Sequence, residues 1–243
     1  PLGSLATAEA GKKWMEVRGI KIKACKSDIL LTLYNGELYE SLGISVKQCN
    51  NKTPTNAQLY FTTAIAFCRL LARNNIDISS KAINSLRQFC GDEGFRPSDD
   101  PYKMSGRSID PRRYFWEEIE NEGRLELESV FTKEQDKITK LLLQKAYLDD
   151  PFSPELLIHK TKKIEHGDQE FATYSINELI KLSRSYAGFK KKEYSVRKGS
   201  FKDPAGIKHE APRFGIVQMQ RGGQKQHPTQ LQFNLQAGYF YKI

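Results

Sequence analysis

Several signatures are missing from this chain of 243 residues, and each absence removes a class of function. No apolar run approaches the roughly 20 residues that a membrane-spanning helix requires. There is no Walker loop, no GxSxG and no GxGxxG, so nucleotide hydrolysis and serine-esterase chemistry have no support. The four histidines, His159, His166, His209 and His227, are not spaced as a metal pair. Cys25, Cys49, Cys68 and Cys90 form no CxxC or Cys/His pattern of zinc spacing, and read as reduced thiols of an intracellular protein. Internal repeats and low-complexity segments are also lacking.

What is present is positive charge. The formal net charge is +9, and a polyanion is the partner such a balance implies, because phosphate contacts release condensed counterions. The excess sits late in the chain: residues 181–243 carry thirteen Lys or Arg against Glu193, Asp203 and Glu210. The opening Pro1-Leu2-Gly3-Ser4 reads as the remnant of a cleaved expression tag, leaving open where the natural chain begins.

The pattern of elements predicts an α+β fold, a central mixed sheet flanked by helices, with a helical insertion and a C-terminal β-hairpin. Residues 14–48 favour an antiparallel meander in which Tyr34-Asn35-Gly36-Glu37 joins two strands, Asn-Gly being a strong hairpin signal. Residues 56–73 carry Leu59, Ala64, Phe67, Leu70 and Leu71 and predict an amphipathic helix with Thr55 as its cap. A second helix is expected over 79–90, and a loop over 91–107. Asp110-Pro111 opens a helix through Trp116 and Ile119, and Thr132-x-x-Gln135 and Ser175-x-x-Glu178 read as capping boxes. The organisation expected is a catalytic core over 5–75, a helical region or insertion over 76–188 and a basic recognition segment over 189–243.

Chemistry is concentrated in two places. In Ser27-Asp28-Ile-Leu-Leu and Leu42-Gly-Ile-Ser45-Val46-Lys47-Gln48 an acid opens one strand while a lysine closes its partner, and alternation puts Ser45 and Lys47 on one face with Ile44 and Val46 toward the core. Carboxylate, hydroxyl and ammonium around one point suit phosphodiester hydrolysis with Mg²⁺: Asp28 and the Val46 carbonyl as metal ligands, Lys47 to position water and stabilise charge, Ser45 and Gln48 assisting. The polar loop that follows, with Asn50, Asn51, Lys52 and Asn56, is a candidate phosphate contact. The second place is the C-terminal hairpin, where Gln230, Gln232 and Asn234 alternate with Leu231, Phe233 and Leu235, and Gln218 and Gln220 match them on the partner strand. Such amides pair bidentately with adenine and Arg221 with guanine, while Gln224, Lys225, Gln226 and His227 in the turn could contact DNA. Lys190-Lys191-Lys192 is either a solvated run or a phosphate-backbone contact.

Asp28 in one strand and Ser45-Val46-Lys47 in the next, followed by a polar loop and a helix, resemble the PD-(D/E)xK nucleases, especially type II restriction endonucleases. In that family the position two before the lysine is usually Glu, Asp or Gln, where this chain has Ser45, so the second acidic ligand is unplaced. The resemblance points to Glu9 or Glu16 on the preceding segment. It implies sequence-specific cleavage of double-stranded DNA with magnesium, by a cytoplasmic prokaryotic protein of a restriction-modification system. Palindromic sites are read by symmetric dimers, so a homodimer is compatible with it. Two other readings fit the same residues: a non-catalytic DNA- or RNA-binding module working through the hairpin, and a repair or structure-selective nuclease without a fixed cleavage sequence.

Overall fold

A computed structural model of the chain describes residues 15–17, 19–22, 25–36, 38–48, 56–99, 110, 112–146, 148, 150–160, 171–195, 207–222 and 229–236. The fold is α+β, with helices flanking a mixed sheet and an antiparallel sheet, as the pattern of elements predicts.

The mixed sheet has four strands in the order β3-β4-β6-β7: β3 (Ile29–Asn35), β4 (Leu38–Gln48), β6 (Leu156–Lys160) and β7 (Phe171–Ser175). β3 and β4 are the expected hairpin, paired out to Asn35↔Leu38, with Gly36 at a φ of 64° that glycine adopts without steric cost. Among the described residues the three-stranded meander is not formed. Among the described residues β1 (Met15–Val17) and β2 (Ile20–Ile22) pair with each other and with no other strand, and the second neighbour of β4 is β6, parallel to it in the register Ser45↔Leu157 and Lys47↔His159. Strands β6 and β7 therefore lie within residues 76–188, the stretch expected to be a helical insertion.

The second sheet is wholly antiparallel, in the order β5-β11-β10-β9-β8. It comprises β5 (Ala57–Thr62), β8 (Phe189–Tyr194), β9 (His209–Phe214), β10 (Val217–Gly222) and β11 (Gln230–Leu235). One face packs on α1 (Ala64–Ala72), α2 (Ser80–Cys90), α3 (Asn121–Lys133), α4 (Gln135–Gln144) and α5 (Ile176–Arg184) through a shared apolar cluster. Phe67, Phe131, Phe214 and Phe233 meet at its centre, with ring centroids 4.7 to 6.4 Å apart, the range favoured by aromatic pairs.

Several helix boundaries differ from expectation for local reasons. Residues 57–62 form β5, and α1 begins only after Thr63, whose hydroxyl accepts the Ala66 N–H; Thr63, not Thr55, is the cap. Asp110 opens no helix. Its carboxylate accepts the Arg112 N–H and ion-pairs with the Arg112 and Arg113 guanidiniums, so only a 3₁₀ turn forms at Trp116–Glu118. Thr132 lies inside α3, and the Gln135 amide, instead of closing a capping box, donates to the Ser183 carbonyl at 2.8 Å and accepts the Gly188 N–H. Ser175 and Glu178 do form the reciprocal capping box that starts α5, and Ser79 caps α2, which ends at Gly91 in the left-handed conformation.

Candidate functional site

β3 and β4 bring Asp28 and Lys47 to one place. Asp28 stands just ahead of β3, its N–H bonded to the Ile44 carbonyl at 2.8 Å, which sets it opposite Ser45. The Asp28 carboxylate accepts the Val46 N–H at 2.6 Å and the Ser45 hydroxyl at 3.2 Å. Both bonds fall on Oδ2, so Oδ1 is the oxygen the residue would offer to a ligand. Lys47 is two residues beyond Ser45 on the same face. Burial pulls its ammonium below the ordinary lysine value, and the Asp28 charge opposes that pull.

Backbone direction adds a further group. Along a strand, residues two apart turn their N–H and C=O to the same side. Ile44 and Val46 both face β3, so the Val46 carbonyl is directed past the start of β3, to the side where Asp28 lies.

The Ser45 face is the one turned to the body of the molecule. Ser45 is fully buried, its neighbours Leu157 and His159 are 1% exposed, and Leu157 belongs to the main apolar cluster. The expectation that Ile44 and Val46 would be the core side is thus only half met: Ile44 is buried and Val46 half-buried, while Leu31, Leu33 and Phe171 on that face are open. By the same alternation Gln48 falls on the opposite face from Asp28 and Lys47 and does not join them.

Two residues that sequence reasoning passed over complete the surroundings. Lys26, 7% exposed, donates its ammonium to the Leu59 carbonyl of β5 and lies 5.6 Å from the Tyr60 ring centroid. Burial pushes it from 10.5 down to about 7; the Lys47 charge adds to the shift, and Asp28 and Asp150 oppose it. Asp150 accepts the N–H groups of Lys26, Ala146 and Phe152 at 2.7, 2.9 and 3.1 Å, so its oxygens staple the approach to β3 onto the loop before β6. Gly43 permits that closeness, since a Cβ there would stand 2.7 Å from the Ser153 carbonyl oxygen. Lys26 had a signal: it stands only two positions before Asp28. Asp150 had none, since the contact spans 124 residues.

The Lys26 environment sets a pH dependence. In the unfolded chain Lys26 titrates near 10.5, so above about 7 the unfolded chain binds more protons than the folded one, and stability rises with pH. Urea unfolding from about pH 7 to about pH 8.5, below the ordinary thiol range, should show the midpoint rising, and less steeply for Lys26→Met. An equal rise in that variant would contradict the burial of a titrating amine here.

The C-terminal hairpin is formed, but not as a free ribbon. β10 and β11 are interior strands of the five-stranded sheet, bounded by β9 and β5. The amides alternate as expected: Gln218↔Asn234 and Gln220↔Gln232 stand across from each other, and Gln230 follows opposite Gly222. They also bond to one another. Asn234 donates to Gln220, Gln232 to Asn234, and Asn56 to Gln218, at 2.9 to 3.2 Å. Arg221 departs from its expected role. It shares the core face with Met219 and Leu231, is 7% exposed, and donates to the Tyr114 carbonyl and the Tyr194 hydroxyl, both at 2.7 Å. A guanidinium so placed does not read guanine.

Glu9, Asn50, Asn51, Lys52, Gln224, Lys225, Gln226 and His227 lie outside the described residues, as does Cys49. The Cys25, Cys68 and Cys90 thiols are free. Among the described residues no three His, Cys, Asp or Glu side chains converge as a metal-holding group. No helix among them is long and apolar enough to cross a membrane. No family model matches the chain, and no curated protein matches it in sequence.

Proposed function

We propose that the chain is a magnesium-dependent endonuclease of the type II restriction kind, hydrolysing phosphodiester bonds of double-stranded DNA at a specific sequence. The observation that carries the reading is the fixing of Asp28 by Val46 and Ser45 with Lys47 next on the same face, an acid and an amine held by the two strands of one hairpin.

Magnesium takes one or two protein carboxylates and keeps several waters, so a single acid with a backbone carbonyl is a sufficient donor set. Asp28 and the Val46 carbonyl are the groups that would hold it. When bound, the ion polarises the phosphate and acidifies a water. Ser45 and the Val46 N–H hold the carboxylate through Oδ2, which leaves Oδ1 out of both bonds. Lys47 offers its ammonium to the charge that grows on the phosphate, and its partial burial strengthens that interaction.

Supercoiled plasmid incubated with the protein and Mg²⁺ should yield discrete bands, and EDTA should prevent them. Identical terminal sequences at every cut support the restriction kind; scattered termini would mark a repair or structure-selective nuclease instead. Sequence-specific cutting on both strands would call for a symmetric pair of chains. One observation favours a second reading, a non-catalytic binding module: the lack of a three-residue metal-holding group among the described residues. Such a module would shift DNA in a gel with or without Mg²⁺ and never cut it.

A further inference from the structure

We infer that duplex DNA lies against the face of the five-stranded sheet that carries Lys190 and Lys192, with these two exposed lysines as its phosphate contacts and the half-buried Arg213, bonded to Gln236, behind them. This rests on the proposed action on DNA, and it moves the DNA contact from a hairpin tip to the β8 side of a sheet face.

The strand pairings define that face. Gln58 of β5 stands beside Asn234, and Phe61 beside Gln232; Asn234 and Gln232 stand beside Gln218 and Gln220 of β10. Gln218 pairs with Arg213 of β9, and Arg213 with Lys190 of β8; Lys192 is two residues on. Paired residues in neighbouring strands project to the same side. This face runs from carboxamides at the β5 edge to cations at the β8 edge; Gln58, Lys190 and Lys192 are exposed on it and Gln220, Gln232 and Arg213 half-buried, while Gln218 and Asn234 are buried. Four strand spacings of about 4.8 Å make it about 19 Å wide, enough to span the roughly 12 Å major groove and a flanking backbone.

Charge is sorted between the two faces. Lys191 points the other way and pairs with Glu210 at 3.0 Å and Glu128 at 3.8 Å, and Glu193 on that same side pairs with Lys208 at 3.8 Å. Lys190 and Lys192 are exposed and make no ion pair among the described residues; the pairings place no acid of β8 or β9 on their face, where Glu117 reaches the far end through His209. A merely solvated strand would mix signs on its open side. Here both acids of β8 and β9 are taken up on the side toward α3, which leaves a cation-and-amide surface complementary to a polyanion.

The surface also adjoins the candidate site. β5, which carries Gln58, accepts the Lys26 ammonium at the Leu59 carbonyl, so the amide edge of the sheet is the edge that borders Asp28 and Lys47.

The test is fluorescence anisotropy of the full chain with labelled duplex DNA of mixed sequence, in EDTA so that nothing is cut, over a series of salt concentrations. Each phosphate contact contributes about 0.9 to the slope of log K against log salt. Lys190→Ala and Lys192→Ala should each lower the slope by about 0.9, whereas Lys191→Ala, the same charge removed from the opposite face, should leave it unchanged. Equal effects of all three substitutions, no effect of the first two, or no duplex binding at all would overturn the inference, as would tighter binding of single-stranded RNA through the same lysines. Cleavage with Mg²⁺, measured on the same preparations, separates the two ideas. Binding through Lys190 and Lys192 without cutting removes the nuclease reading alone, and cutting with an unchanged slope removes this one alone.

Discussion

Lys47→Ala is expected to slow magnesium-dependent DNA cleavage about 100- to 1000-fold, the usual cost of removing one pre-placed group that stabilises transition-state charge, while binding of duplex in EDTA stays nearly as in the parent. The lysine is half-buried and feels the Asp28 charge, so its own charge acts in a medium less screened than water. Single-turnover cleavage rates beside anisotropy in EDTA check both halves. Asp28→Asn is the companion substitution, because the amide oxygen can still accept from Val46 and Ser45 where alanine would strand both donors. It should also abolish cutting, and by removing the charge that opposes burial it should let the Lys47 ammonium titrate lower still. Wild-type cleavage by Lys47→Ala would end the catalytic reading of this hairpin.

The hairpin was legible because its signals are local. Asn35-Gly36 marks the turn, and period-two alternation alone sets Ser45 and Lys47 on one side. What alternation cannot say is which side faces the body of the protein. That is decided by β6, more than a hundred residues later, which brings Leu157 and His159 in beside Ser45 and Lys47. β5 was misread for a related reason. Leu59 and Tyr60 are consecutive and both buried, which breaks a strand pattern and suits a helix; the register shift at Phe233/Asn234 is what lets both turn inward. Ser175 was readable as a cap because its partner Glu178 lies only three residues on, whereas Gln135 is drawn away from its cap by Ser183 and Gly188. For Asp110, competition came from next door: two adjacent guanidiniums outbid the helix N–H groups. The amide face of β10 and β11 was visible in sequence, but its role as the middle of a sheet was not, since β8 and β9 carry too many charged residues to announce themselves as strands.

Arg221 shows how parity decides a role, and its removal should unsettle the fold instead of the base preference. It follows Met219 by two, so it points to the core side, where its guanidinium lies 4.3 Å from the Phe115 ring centroid and 4.7 Å from that of Phe89. Its hydrogen bonds tie β10 to Tyr114 and Tyr194, fastening the stretch after Asp110 to the sheet. Arg221→Ala removes that packing and leaves a carbonyl and a hydroxyl without their donor, each deletion of this kind costing about 1–3 kcal/mol. One effect runs the other way: burial and then the nearby Arg221 charge bring Arg113 down to about 9, and that repulsion disappears in the variant. Packing and two charged hydrogen bonds outweigh it, for a net loss of about 3 kcal/mol. In a domain of this size that lowers the melting temperature by about 6–12 °C. Arg221→Met, which keeps the stem against Phe89 and Phe115, should lose less. Thermal melts of the two variants, beside cleavage-site sequencing at a temperature where both are folded, distinguish the roles. An unchanged melt with relaxed specificity would return Arg221 to the DNA, and a lowered melt with unchanged specificity keeps it in the core.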